Sequence, residues 1–210
     1  MDEKHKAIQK KHELEQHEVK QVLEFLTRYG KLIGAGLIVA CAVVLVSRGI
    51  AYKKAQKISE AEQMLSSAQT PEQIEEVINN YKSTPTAPAA LLHLARTHFN
   101  NGDTAAARAN YERFVKDYKK HSLKPQADFG LAYCTEAEGN FDAAAKQLKE
   151  FIEKNANSYL IPSATIAMAR CIEQTGDLKA ARIILEDFLA ANPDSQWVNT
   201  AENALTQLDK

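Results

Sequence analysis

The stretch His12-Glu13-Leu14-Glu15-Gln16-His17 carries the residue types of a zinc protease site, two imidazoles with a carboxylate between them. That chemistry needs the histidines four residues apart on one helical face, so that both nitrogens reach a single metal and the glutamate can act as base. Here the interval is five, which turns the second ring away from the first, and together with His5 these histidines read as solvated tail residues. Phosphate chemistry would need a glycine-rich loop opening a helix, but Gly34 and Gly36 stand inside an apolar run. Thiol chemistry would need cysteines within reach of each other, and Cys134 and Cys171 are 37 residues apart. That interval is the period of the chain, so the two occupy equivalent places on neighbouring helices, roughly 8–10 Å apart and beyond the limit of about 7 Å between Cα atoms that a disulfide tolerates. Both are expected as free, buried thiols that pack as small hydrophobes. No nucleophile with its base, metal cluster or cofactor loop emerges, so the expectation is no enzyme, no metal and no cofactor.

What positions side chains in this chain is a ladder. Gly102, Gly139 and Gly176 are 37 residues apart, and Pro88, Pro125 and Pro162 each stand 14 residues before their glycine. On the same register lie Ala95, Ala132 and Ala169; Ala107, Ala144 and Ala181; Tyr111, Leu148 and Leu185; and Phe114, Phe151 and Phe188. Proline is tolerated in the first turn of a helix, where its missing N–H would be unpaired anyway. Glycine supplies the left-handed residue that closes a helix. Asp103, Asn140 and Asp177 then follow as residue types suited to cap the next helix. Each unit therefore reads as helix, tight turn, helix, with alanines at the crossing and Phe114, Phe151 and Phe188 with their aliphatic successors between units. Such a hairpin cannot bury its apolar face alone, so the units must stack.

Ile74, Val77, Ile78 and Tyr81 precede Tyr111, Phe114, Val115 and Tyr118 by 37 residues, which makes Pro71 to Tyr81 a second helix whose partner is Lys53 to Ala68. Trp197, Val198, Ala201, Leu205 and Leu208 form one stripe of a last, capping helix. The expected fold class is all-α, an N-terminal transmembrane helix followed by a helical-hairpin solenoid. The solenoid covers 53–210, in units of about 53–86, 87–123, 124–160 and 161–195 with a cap at 196–210.

Leu32 to Ser47 is a run of 16 residues without a charge, about 24 Å of helix. With flanks to Tyr52 it reaches about 31 Å, enough for a hydrocarbon core of roughly 30 Å if Lys31 and Arg48 reach outward and Tyr29 and Tyr52 sit at the interfaces. A buried core helix fits less well, because the run is apolar on every face. A cleaved signal peptide would carry a 31-residue mixed-charge leader and no clean small-residue site. The reading is a charged tail at 1–31, a span at 32–52 and the repeats beyond. Charge divides accordingly: residues 1–57 hold 11 basic and 6 acidic side chains, residues 58–210 hold 15 and 21. A net-negative repeat region is no nucleic-acid binder. Lys20, Arg28 and Lys31 flank the run on one side and Arg48, Lys53, Lys54 and Lys57 on the other, so charge alone leaves the orientation open, with a slight lean toward a cytoplasmic C-side.

A glycine, an alanine five residues later and aromatic or leucine positions after that, in three successive units, resemble the tetratricopeptide repeat superfamily, with departures in the period and in the phenylalanine positions. The whole order, a charged tail ending Tyr29-Gly30-Lys31, one apolar run, then divergent repeats, resembles the bacterial inner-membrane family of ancillary Sec-translocon subunits. That resemblance implies a single-pass inner-membrane protein with a cytoplasmic tail at 1–31 and a periplasmic repeat domain. Its function would be to bind proteins, with the Sec translocon and periplasmic chaperones as partners; an envelope-assembly scaffold is the alternative. Carrying the superfamily's inward positions onto this chain gives Leu92, Arg96, Phe99 and Asn100 in one unit, Gln126, Phe129, Tyr133 and Glu136 in the next, and Ile166, Arg170, Glu173 and Gln174 in the third; all of these but Leu92 and Ile166 make up the candidate partner-binding face. Leu92, Phe129 and Ile166 suit packing against the next helix equally well.

Overall fold

The computed structural model describes the backbone of residues 2–209, with side chains from residue 19 to 209 except 21, 22, 25, 26 and 33. The side chains of His5, His12 and His17 lie outside the described residues. Among the described residues there are nine helices: α1 (Asp2–Ser67), α2 (Pro71–Asn80), α3 (Thr86–Asn100), α4 (Thr104–Asp117), α5 (Lys124–Ala137), α6 (Phe141–Lys154), α7 (Ile161–Gln174), α8 (Leu178–Ala191) and α9 (Val198–Leu208). The chain divides into two units, 1–56 and 57–210.

The first unit is the greater part of α1. Its apolar run presents large side chains to the outside on every face, with Leu32, Ile38 and Leu45 each about seven-tenths exposed. A helix apolar all round is stable only where something other than water surrounds it. By length and composition it is a candidate membrane span.

The second unit is an all-helical solenoid in which each helix packs on the next, from α2 through α9. Its first layer is the end of α1, where Ala61 is buried and Met64 and Leu65 pack against the core cluster that includes Ile74, Val77, Leu91 and Phe114. Thr70 and Gln73 form a reciprocal capping box at the start of α2, which satisfies free N–H groups that the turn would otherwise leave without partners. The three ladder glycines are the positions with positive φ among the described residues, at 80°, 78° and 92° for Gly102, Gly139 and Gly176. Each closes the first helix of its unit by returning its N–H to a carbonyl three residues back. Pro88, Pro125 and Pro162 sit in the first turns of α3, α5 and α7.

Asp103 and Asp177 cap α4 and α8, each carboxylate accepting from the backbone N–H three residues on at 3.0 Å. Asn140 has the same backbone conformation, but its side chain makes no capping hydrogen bond. The expected capping hydrogen bond therefore forms at the two aspartates and not at Asn140.

The core repeats with the ladder. Ala107, Ala144 and Ala181 are fully buried where paired helices cross, and Phe114, Phe151 and Phe188 fill the space behind them, each phenylalanine contributing about 1.5–3 kcal/mol of apolar burial. Cys134 and Cys171 are free and buried. Desolvation pushes their thiols up to about 11 and about 12, so at neutral pH both are protonated and unreactive.

Two packing devices depart from strict repetition. Tyr111 is the large member of a register otherwise filled by Leu148 and Leu185, and its ring lies on Gly130 in the middle of α5, where an added Cβ would stand 2.3 Å from Cζ. One period on, Leu148 shares a cluster with Ala167, and Leu185 shares one with Ala204. The larger side chain thus meets the smaller partner. Between units, Ser158 and Ser195 accept the N–H of the residue two ahead through their hydroxyls at 3.2 Å, and at the equivalent place His121 does so through Nδ1 at 3.1 Å.

Candidate functional site

The first helices of successive units, α3, α5 and α7, bring the same two register positions, Arg96/Tyr133/Arg170 and Phe99/Glu136/Glu173, to face one another across the stack. A residue on one helix meets the residue 34 positions earlier on the helix before. At the α3–α5 junction this places Tyr133 against Phe99, edge to face at 6.3 Å between ring centres. At the α5–α7 junction the same register places Arg170 on Glu136, with two charge-assisted hydrogen bonds at 2.5 and 2.8 Å. Each junction has its own chemistry: rings in the first, an ion pair in the second.

The aromatic junction opens into a cavity of about 330 Å³. Its walls are Arg96, Phe99 and Asn100 from α3, Tyr111 from α4, Gln126, Phe129, Gly130 and Tyr133 from α5, and Tyr159 and Leu160 from the turn before α7. Phe129 and Tyr133 stand edge to face at 4.7 Å, and the other side of Phe129 continues into the core through Phe151 at 5.5 Å. Such ring pairs add about 0.5–1.5 kcal/mol beyond their burial. Gly130 forms the floor because a side chain there would collide with Tyr111.

Polar groups are few. Burial pushes the Tyr111 hydroxyl upward in pKa, and the neighbouring Arg96 guanidinium pulls in the opposite direction. Gln126 donates its amide to the Tyr159 hydroxyl at 3.3 Å and leaves its Oε1 buried with no donor among the described residues, an arrangement that costs about 1–3 kcal/mol. Next to the cavity, Arg170 lies over the Tyr133 ring at 5.8 Å, and the Tyr133 hydroxyl is 3.4 Å from that of Ser163. Glu136 raises the Arg170 pKa further above its ordinary value. Glu136 is itself only 13% exposed at its side chain, so the pair anchors one rim of the cavity.

Of the ten candidate residues, Arg96, Phe99, Asn100, Gln126, Phe129 and Tyr133 line this one cavity. Glu136 and Arg170 form the adjoining ion pair. Glu173 is half-buried and Gln174 exposed near the end of α7, away from the cavity walls. Leu92 and Ile166 are core residues, each 7% exposed. Sequence reasoning missed Tyr111, Gly130, Tyr159 and Leu160 as walls. For two of them a signal existed: Tyr111 breaks a leucine register, and Gly130 is a glycine off the ladder within a helix. Among the described residues no group of three or more His, Cys, Asp or Glu side chains could hold a metal. The arrangement offers shape, aromatic surface and one cation, which is recognition chemistry.

Comparison with known proteins bears on this geometry. The signature of the family described as tetratricopeptide repeat-like domain matches residues 23–160, and that of the tetratricopeptide repeat matches residues 135–196. No curated protein sequence matches the chain. Among solved structures, the chain is similar to the nearly identical tetratricopeptide-like repeats of a protein described as a kinesin light chain from Podosopora anserina. That match has 18% identity and a TM-score of 0.56, over 74% of this chain and 85% of that one. A tetratricopeptide repeat protein from Parabacteroides merdae ATCC 43184 is similar at 15% identity and a TM-score of 0.54, over 74% of this chain and 60% of that one. At such identities the likeness concerns the fold.

Proposed function

The chain belongs to the tetratricopeptide repeat-like family, and from that premise we propose that it is a membrane-tethered polypeptide-binding module working beside the Sec translocon. In this reading residues 1–31 are a cytoplasmic tail, 32–52 span the inner membrane, and 53–210 face the periplasm. There the repeats receive emerging polypeptide and pass it to periplasmic chaperones.

The observation that carries the binding half is the cavity on the first-helix face, where six residues from two units converge on one aromatic recess. Half-buried rings beside few charges are the composition of contact surfaces for other proteins. The tethering half is supported by the charge-free run with every face exposed. Holding a weak binder close to a membrane partner raises its effective concentration, so individual contacts need not be strong.

A photocrosslinker placed at Tyr133 in living cells tests the reading: translocon subunits or secretory clients are the expected adducts, and recovery of neither sinks it. Protease added to intact spheroplasts tests the topology, with digestion of the repeat unit expected. A protected repeat unit would reverse the assignment of sides.

A further inference from the structure

The repeat unit contains five arginines, and four of them are paired with carboxylates. Arg108 holds Glu138, Arg113 holds Glu75, Arg170 holds Glu136 and Arg182 holds Asp209. Arg96 alone among them forms no ion pair among the described residues, and it is the one that lines the aromatic cavity. No carboxylate lines that cavity, although the repeat region as a whole has more acidic than basic side chains. A cation kept unneutralised at the mouth of a recess, in an otherwise negative domain, is complementary to a negative group brought by a ligand. At about 330 Å³ the recess lies at the small end of ligand pockets, room for one large side chain and too little for a helix. Three of its walls are aromatic, Phe99, Phe129 and Tyr133, and a further ring gains from ring neighbours beyond simple burial.

We infer that the cavity takes an aromatic side chain from within an extended polypeptide, with an acidic residue next to it paired to Arg96. The assignment rests on the reading of this face as a polypeptide-binding surface and adds a sequence preference to it. The aromatic ring fills the recess between Phe99, Phe129 and Tyr133. The neighbouring carboxylate meets the guanidinium beside the Tyr111 hydroxyl, and the exposed Asn100 amide is placed to hydrogen-bond the ligand backbone.

The experiment is fluorescence anisotropy with the purified full chain in dodecyl maltoside micelles. The probes are fluorescein-labelled, C-terminally amidated peptides: Gly-Ser-Phe-Glu-Ser-Gly, the same with Lys for Glu, and the same with Gly for Phe. The Phe-Glu peptide is expected to bind at least tenfold tighter than either alternative. Arg96→Glu should invert the preference between Glu and Lys, and Arg96→Lys should retain it. An unchanged preference in Arg96→Glu, or binding that requires a free C-terminal carboxylate, overturns the assignment. In parallel, a reduced and carboxymethylated test polypeptide is photocrosslinked from Tyr133. If it crosslinks while the peptide preference fails to invert, the polypeptide-binding reading stands and the role of Arg96 falls; if it does not crosslink and no peptide binds, both fall.

Discussion

Replacing Gly130 with alanine tests the packing that shapes the cavity. The added Cβ would stand 2.3, 2.5 and 2.6 Å from Cζ, Cε1 and Cε2 of Tyr111. Carbon atoms rest at about 3.5–4.0 Å, so the ring must retreat by roughly 1 Å or more. Tyr111 is 7% exposed, and the nearest open space is the cavity it lines. Overpacking of this kind costs about 1–3 kcal/mol, while alanine in place of a mid-helix glycine returns about 0.5–1 kcal/mol. The expected net effect is a loss of about 1 kcal/mol, with the recess narrowed by the displaced ring. In the Tyr111→Leu background, which restores the side chain found at positions 148 and 185, the obstacle is gone. There Gly130→Ala should stabilise by about 0.5–1 kcal/mol. The coupling between the two sites is therefore about 1.5–2 kcal/mol. Urea denaturation of the four full-length proteins in detergent, followed by circular dichroism, measures it. Effects that add to within about 0.5 kcal/mol would refute the claim that glycine at 130 exists to seat a tyrosine at 111.

Other substitutions probe the remaining devices. Gly139→Ala meets no atom within 4 Å but forces alanine to a φ of +78°, and thermal unfolding should show a loss of about 1 kcal/mol from the left-handed backbone. Arg170→Ala strips Glu136 of a bidentate partner; because the arginine is partly exposed, the loss should be about 1 kcal/mol and should shrink in high salt. The raised thiols of Cys134 and Cys171 give a pH dependence of definite sign. The unfolded chain loses these protons first, near pH 8.5–9, so the stabilisation is complete below that pH and disappears as pH rises toward about 11 and about 12. Cys171→Ala should flatten that alkaline slope in denaturation measurements at graded pH.

Much of the scaffold could be read residue by residue. Gly102, Gly139 and Gly176 close helices, and Asp103 and Asp177 open them, because those conformations depend on a few neighbouring backbone groups. The inter-unit turn was less legible. Ser158 and Ser195 share a register, yet the third member is His121, whose ring nitrogen accepts the same kind of N–H. A shared hydrogen-bond role across unlike residue types leaves no pattern in composition. The candidate site was half legible: six residues converge, while Tyr111 reads as one more core position until its ring is seen lying on Gly130.

By itself, the sequence determined the period, the helix ends, the all-helical stack and one apolar segment of membrane-spanning length, since each follows from local backbone rules or from contiguous hydrophobicity. Only the tertiary structure decided what the repeated surface became. Residues 34 apart meet across the stack, so Tyr133 on Phe99 makes an aromatic recess and Arg170 on Glu136 makes an ion pair. The same packing leaves Arg96 without an ion pair among the described residues, on the wall of the recess. Which side chains face one another depends on the offset between stacked helices, a quantity set by packing across the whole unit and written at no single position of the chain.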